Sequence, residues 1–153
     1  MLANDVSVEP LASGDLLAIA QCHALYGTVF PAAGFPAVAR TATAVWVAKR
    51  EGRAVGFVVT RTIGRMFEIH AIAVEPERQG AGIGRALLRE AVAAARARKR
   101  DWIVLQVSTA NRSACALYES EGFIVKRRLR AYYSTEHFGD GGDAYQMQLE
   151  VRP

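Results

Sequence analysis

Three glycines in five residues, within Gln79-Gly80-Ala81-Gly82-Ile83-Gly84, form the densest chemical signal in the chain. Glycine lets backbone N–H groups approach a ligand with no Cβ in the way, and it enters left-handed turns without steric cost. The segment lies between a strand-like run ending at Val74 and a helical pattern running to about Arg98. Its N–H groups would then sit at a helix N-terminus, where the dipole favours an anion such as a diphosphate. A bare strand-to-helix turn has no need of three glycines, each of which costs conformational entropy. Neighbouring residues exclude two phosphate-binding designs. A Walker loop needs Lys-Ser or Lys-Thr after its last glycine, and Gly84 is followed by Arg85-Ala86. A dinucleotide fold needs Gly-x-Gly-x-x-Gly and an acid at the end of the next strand. Here the spacing is Gly-x-Gly-x-Gly and that strand ends Gln106-Val107-Ser108.

Just upstream, Glu68 and His70 stand two residues apart in a strand and therefore on one face. An imidazole, with an ordinary pKa of ~6.5, takes protons near neutral pH, whereas a glutamate, ordinarily ~4.3, needs burial to become a stronger base. The plain alternatives are a hydrogen-bonded sheet histidine and an exposed sheet carboxylate.

Elements that would position these groups follow from periodicity. Val6 to Pro10 reads as a first strand and Ser13 to Tyr26 as a helix, with Ser13 as its N-cap and Leu16, Leu17, Ala20 and Ala24 on one face. Gly27 to Pro36, with two glycines and two prolines among aromatics, reads as a loop or short helical turns. Three β-rich runs, Ala44 to Lys49, Ala54 to Thr60 and Met66 to Val74, are separated by hairpin-length turns at Glu51-Gly52-Arg53 and near Gly64-Arg65. The helix after the glycines carries Leu87, Leu88, Ala91, Val92 and Ala95 on one face. Trp102 to Val107 is a buried strand, Asn111 caps a short helix to about Glu121, and Gly122 supplies its left-handed end. Two last strands run over Phe123 to Ala131 and Ala144 to Val151. This order predicts one α/β domain over residues 1–153, with a central mixed, mostly antiparallel sheet of about seven strands flanked by about four helices.

At these residues the chain resembles the GNAT superfamily of acetyl-CoA-dependent N-acetyltransferases. The family signature Gln/Arg-x-x-Gly-x-Gly/Ala is met by Gln79, Gly82 and Gly84, after the apolar strand Ile69 to Val74. A second motif, an asparagine followed by a short helix, is met by Asn111 through Tyr118 to Gly122-Phe123. Within the superfamily the chain looks most like the RimI-like, protein N-terminal branch, through Leu-Tyr-Glu-Ser-Glu-Gly-Phe, Tyr132-Tyr133 and the late Gly-Asp-Ala-Tyr-Gln-Met. The resemblance implies acetyl-CoA as co-substrate, held in a splay between strands 4 and 5. Its pyrophosphate would lie on the N–H groups of Gln79, Gly80, Ala81, Gly82, Ile83, Gly84 and Arg85, and Asn111 and Tyr118 would also contact the co-substrate. A backbone N–H near Ile72, Ala73 and Val74 would polarise the thioester. Arg78, Arg85 and Arg89 would add charge to phosphates, and they suit a solvated helix face equally well.

By the same resemblance Tyr118 protonates the departing thiolate; the other reading is an aromatic packed on the sheet. RimI-like enzymes carry a base at the position of Gln106, and a glutamine accepts no proton at working pH. The base then falls to Glu68, acting through water, with His70 second, or else the acceptor differs from the branch's usual one. At pH 7 a lysine with pKa ~10.4 is neutral about once in 2,500 molecules and an α-amine with pKa ~7.8 about once in seven, so a base matters far more for lysine. Tyr26, Phe30, Tyr132 and Tyr133 would grip an extended peptide end, or pack as ordinary edge aromatics. The acceptor is expected to be a protein N-terminal amine or lysine. A small amine, or a non-catalytic CoA-sensing or basic binding module, is the alternative.

Composition supports this frame. The chain has 153 residues, 51% of them hydrophobic and 22% charged, which suits one globular domain and excludes disordered and fibrous classes. A net charge of +4 favours an anionic partner. The phosphates of acetyl-CoA account for that charge without nucleic acid or membrane. Cys22 and Cys115 lie far apart, indicating neither a disulfide framework nor a metal site. The first residues carry Asp5 and Glu9 in place of a basic-then-apolar leader, and no run of about 18 apolar residues occurs, so a cytoplasmic protein is expected, whether monomer or homodimer.

Overall fold

The computed structural model describes residues 5–29, 35–132 and 142–153. The elements are β1 (Val6–Pro10), α1 (Leu16–Val29), α2 (Phe35–Thr41), β2 (Ala44–Arg50), β3 (Arg53–Ile63) and β4 (Met66–Val74), then α3 (Ile83–Ala97), β5 (Trp102–Ser108), α4 (Arg112–Ser120), β6 (Ile124–Leu129) and β7 (Ala144–Glu150). The seven strands form one sheet in the order β1-β2-β3-β4-β5-β7-β6, antiparallel throughout except for β4 and β5. The expected mixed α/β sheet with four helices is therefore present. No helix among the described residues is long and apolar enough to cross a membrane.

Two apolar clusters sandwich the sheet. One joins it to α3 and α4 through Leu87, Leu88, Ala91, Ile103, Leu105, Tyr118 and Phe123. The other joins it to α1 and α2 through Cys22, Tyr26, Phe35, Phe57 and Val59. Residues of β4 enter both. Val59 pairs with Ala71 but Thr60 with Ile69, so His70 is one residue too many for the ladder. Such a bulge exchanges the faces of everything beyond it. Phe67 and Ile69 accordingly belong to the α3 side, whereas Ala71 and Ala73 belong to the α1 side.

Gly56 shows how tightly α3 lies on the sheet. A Cβ there would stand 3.0 Å from the Ala73 carbonyl oxygen and 3.2 Å from Leu87 Cδ1. The backbone oxygen cannot yield, so Gly56→Ala is expected to destabilise the fold by about 1–3 kcal/mol, a fall in Tm of several degrees readable by calorimetry.

The α1 region corrects the sequence expectation. Asp15, and not Ser13, caps the helix, its Oδ1 accepting from Ala18 N–H at 3.0 Å. The buried face is Ala18, Cys22 and Tyr26, while Leu16 and Leu17 are 76% and 64% exposed. Apolar residues surround this helix on every side, so periodicity cannot choose between faces; packing on Phe57 and Val59 does. The sequence reading also missed α2. Its seven residues, Phe-Pro-Ala-Val-Ala-Arg-Thr, are too few to show a period, and Pro36 is tolerated because it sits in the first turn.

Candidate active site

β4 and β5 start as neighbours and then part. Their parallel ladder has three pairs, Met66 with Trp102, Phe67 with Ile103 and Glu68 with Val104, although both strands run on to Val74 and Ser108. Beyond Glu68, β4 keeps its ladder to β3 on one edge and has none to β5 on the other. The opening leads into a cleft of about 940 Å³, walled by the end of β4, the glycine loop and α4. That volume lies at the upper end of the range for small-molecule sites, ~300–1,000 Å³.

The loop is built for an anion. Gly80 and Gly82 hold left-handed conformations with φ of +87° and +85°. The Gln79 side chain donates to the Val74 carbonyl at 3.3 Å, which ties the loop to the strand end. Gly82 is the N-cap of α3 and no side chain caps that end. By contrast, Asn111 caps α4, its Oδ1 accepting from Ala114 N–H at 3.2 Å. The open N-terminus of α3 faces the cleft, where a diphosphate would satisfy its N–H groups.

Ile72, Ala73, Val74, Gln79, Gly80, Ala81, Gly82, Gly84, Arg85, Asn111 and Tyr118 all line this cleft. Ile83 does not; the residue is 2% exposed and belongs to the core. The sequence reading missed the α4 wall of Ser113, Ala114, Ala116, Leu117 and Ser120. Small residues among larger ones on a short helix were the available signal. Arg85 and Arg89 are tied to Glu121 at 2.9 and 2.6 Å, and Arg78 lies 3.4 Å from Glu75. Of the three, Arg85 lines the cleft, and Arg78 and Arg89 do not.

Glu68 and His70 lie on the α1 side of β4, since Phe67 and Ile69 between and before them face α3. Glu68 Oε1 accepts from Arg61 Nε at 2.9 Å and Nη2 at 2.7 Å, and His70 Nδ1 lies 3.4 Å from the same oxygen. The Glu68 side chain is 13% exposed and that of His70 is 27% exposed. His70 beside it holds the Glu68 carboxyl below the usual carboxylate range and Arg61 adds to this, outweighing the burial that pushes the other way. The expected gain in basicity through burial is thus reversed: Glu68 is a weaker base here than in water.

Being lower in the folded chain than in the unfolded one, this carboxyl stabilises the fold above its ordinary value of ~4.3, and that share is lost as pH falls through the folded value. Urea unfolding should therefore show Glu68→Gln less stable than the wild type at pH 7, with the difference shrinking toward pH 3.

The aromatic quartet divides. Tyr26 is 2% exposed and packs on Phe35 and Phe57 with ring centroids 6.0 Å away, so its ring is core and does not present a gripping surface. Tyr132 is half exposed beyond β6. Phe30 and Tyr133 lie outside the described residues. Tyr118 reaches the cleft while 5% exposed, its ring centroid 6.0 Å from that of Phe123. Gly122, at φ +96°, ends α4 and lets Phe123 N–H bond back to the Tyr118 carbonyl at 3.0 Å.

Residues 41–125, more than half of the chain, match the family described as acetyltransferase (GNAT) domain. The chain belongs to the GNAT acetyltransferase family. It is 40% identical over 107 residues to N-alpha-acetyltransferase RimI of Mycobacterium tuberculosis, an alignment covering 67% of this chain and 63% of that protein. It is 35% identical over 103 residues to the ribosomal protein bS18-alanine N-acetyltransferase of Escherichia coli, covering 67% and 68%. The crystal structure of the ribosomal-protein-S18-alanine N-acetyltransferase from Escherichia coli superposes with a TM-score of 0.80 at 26% identity, covering 97% of this chain and 95% of that one. These relatives support the RimI-like branch of the GNAT family.

Proposed function

We propose that this GNAT chain is an acetyl-CoA-dependent N-acetyltransferase in which an amine attacks the thioester directly in a ternary complex, with a protein N-terminal α-amine as acceptor. The observation that carries the reading is the splay. It opens beyond Glu68 and Val104, where the β4–β5 ladder stops; the cleft takes one wall from Ile72 to Val74 past that point, and Glu68 and His70 precede them on the same strand. When bound, acetyl-CoA supplies the activated acetyl group.

Each side chain then has a task. The N–H groups of the loop and of α3 hold the diphosphate, and a β4 N–H near Ile72 to Val74 polarises the thioester carbonyl. Nδ1–H of His70 points to Glu68, which as a carboxylate only accepts, and this leaves Nε2 to take the amine's proton, directly or through water. Glu68 moves from base to partner of the base because Arg61 and His70 already occupy one oxygen and hold it ionised. Tyr118, in the α4 wall of the cleft, gives its proton to the departing thiolate. The Escherichia coli relative is named for the alanine of ribosomal protein bS18, which supports an N-terminal acceptor.

A peptide panel tests this. Peptides with free α-amino ends should release CoA thiol, and blocked peptides carrying only lysine should not. Strong labelling of the blocked set would overturn the N-terminal preference. Absence of acetyl-CoA binding by calorimetry would overturn the whole reading.

A further inference from the structure

Arg61 is the third member of the Glu68–His70 cluster. It stands opposite Glu68 in the β3–β4 register, and both of its bonds go to the oxygen that His70 Nδ1 approaches. Two charged donors on one oxygen hold Glu68 Oε1 in place beside Nδ1. The carboxylate is therefore set from β3, and its orientation decides where Nδ1–H finds an acceptor.

We propose that Arg61 is a positioning residue of the transfer step: by clamping Glu68 Oε1 it fixes His70 as the Nδ1–H tautomer with Nε2 free to accept a proton, and its charge offsets that of the carboxylate facing the imidazole. This rests on the reading of His70 as the base. Without the guanidinium, a bare Glu68 carboxylate would face His70, favour the imidazolium and be free to turn. On β5, Val104 pairs with Glu68, and Gln106 follows on the same face; on β7, Gln146 pairs with Gln106. None of the three titrates.

The test reads His70 directly. The chain has three histidines, His23, His70 and His137, so His70→Gln assigns the His70 ring signals by subtraction in a nitrogen-resolved NMR titration. Wild type should show the Nδ1–H tautomer. Arg61→Met should raise the His70 midpoint by about one pH unit, a tenfold gain in proton affinity, and mix the tautomers. The acid limb of kcat/KM should move with it, while acetyl-CoA affinity stays unchanged. Arg61→Gln keeps a donor but no charge and gives the same upward shift if the methionine variant fails to fold. Arg61→Lys should return the midpoint most of the way. A midpoint unmoved in the uncharged variants, or a uniform loss of activity with no shift of the limb, overturns the proposal. Retention of activity by His70→Gln would instead overturn the base reading, leaving the measured Arg61–Glu68–His70 coupling intact.

Discussion

Gly82→Val should weaken acetyl-CoA binding by about a hundredfold, corresponding to roughly 2.7 kcal/mol, and should be the most damaging single change in the loop. Gly82 has φ +85° and ψ 2° and caps α3, its carbonyl accepting from Ala86 N–H at 3.1 Å. An L-residue in that conformation costs about 1–2 kcal/mol, and a β-branched one more. The loop can relieve this only by rotating the peptide units around residue 82, which turns the N–H groups away from a common anion. The fold should survive, because no side chain of the loop between residues 79 and 82 belongs to either apolar cluster. Gly84→Ala is the control. Gly84 is helical, and a Cβ there would meet Leu117 Cδ2 at 3.4 Å, so a small adjustment of one leucine suffices. Titration calorimetry should place the alanine variant within about threefold of wild type, a difference below 1 kcal/mol. Near-normal binding by the valine variant would mean that the phosphates are not held by this backbone.

That contrast also marks how far the sequence can be read. The glycine loop was legible because its chemistry is in the backbone, and only glycine supplies two left-handed residues before a helix that lacks a side-chain cap. Asn111 and Gly122 were legible for the same reason, as local solutions to the two ends of α4. The splay was reached only through family resemblance. Nothing in the apolar runs Met66 to Val74 and Trp102 to Val107 says that pairing stops after three residues. Arg61 was within reach and was missed. The two-residue turn at Gly64-Arg65 sets Ile63 against Met66 and Thr62 against Phe67, and therefore Arg61 against Glu68. Counting back across the hairpin would have shown a cation opposite the candidate base. The bulge at His70 could not be counted this way. It becomes visible only when Ala71 and Ala73 pack toward α1 although their alternation with Phe67 and Ile69 is unbroken in the sequence. Tyr26 failed for a related reason, since an aromatic beside a loop looks the same whether its ring faces a ligand or, as here, Phe35 and Phe57.

Tyr118→Phe should lower kcat by about a hundredfold with little change in acetyl-CoA affinity, within the ~10²–10⁴-fold expected for losing a positioned proton donor. The phenol lies in a wall of the cleft with its ring 5% exposed, so the substitution removes one oxygen and keeps the packing on Phe123. Loss of the hydroxyl's own interaction should cost about 1 kcal/mol of stability, whereas Tyr118→Ala would leave a cavity between α4 and the sheet and cost about 3–5 kcal/mol. The two variants separate chemistry from architecture. If Tyr118 is only an aromatic packed on the sheet, phenylalanine preserves kcat and alanine lowers thermal stability. If Tyr118 gives its proton to the leaving thiolate, phenylalanine already loses the rate while melting close to wild type. The measurement is single-turnover release of CoA thiol, with an acceptor peptide from the panel, because it isolates thiolate departure from product release. A phenylalanine variant that retained half of the wild-type rate would remove Tyr118 from the chemistry. The proton would then have to reach the thiolate through water entering the open side of the cleft.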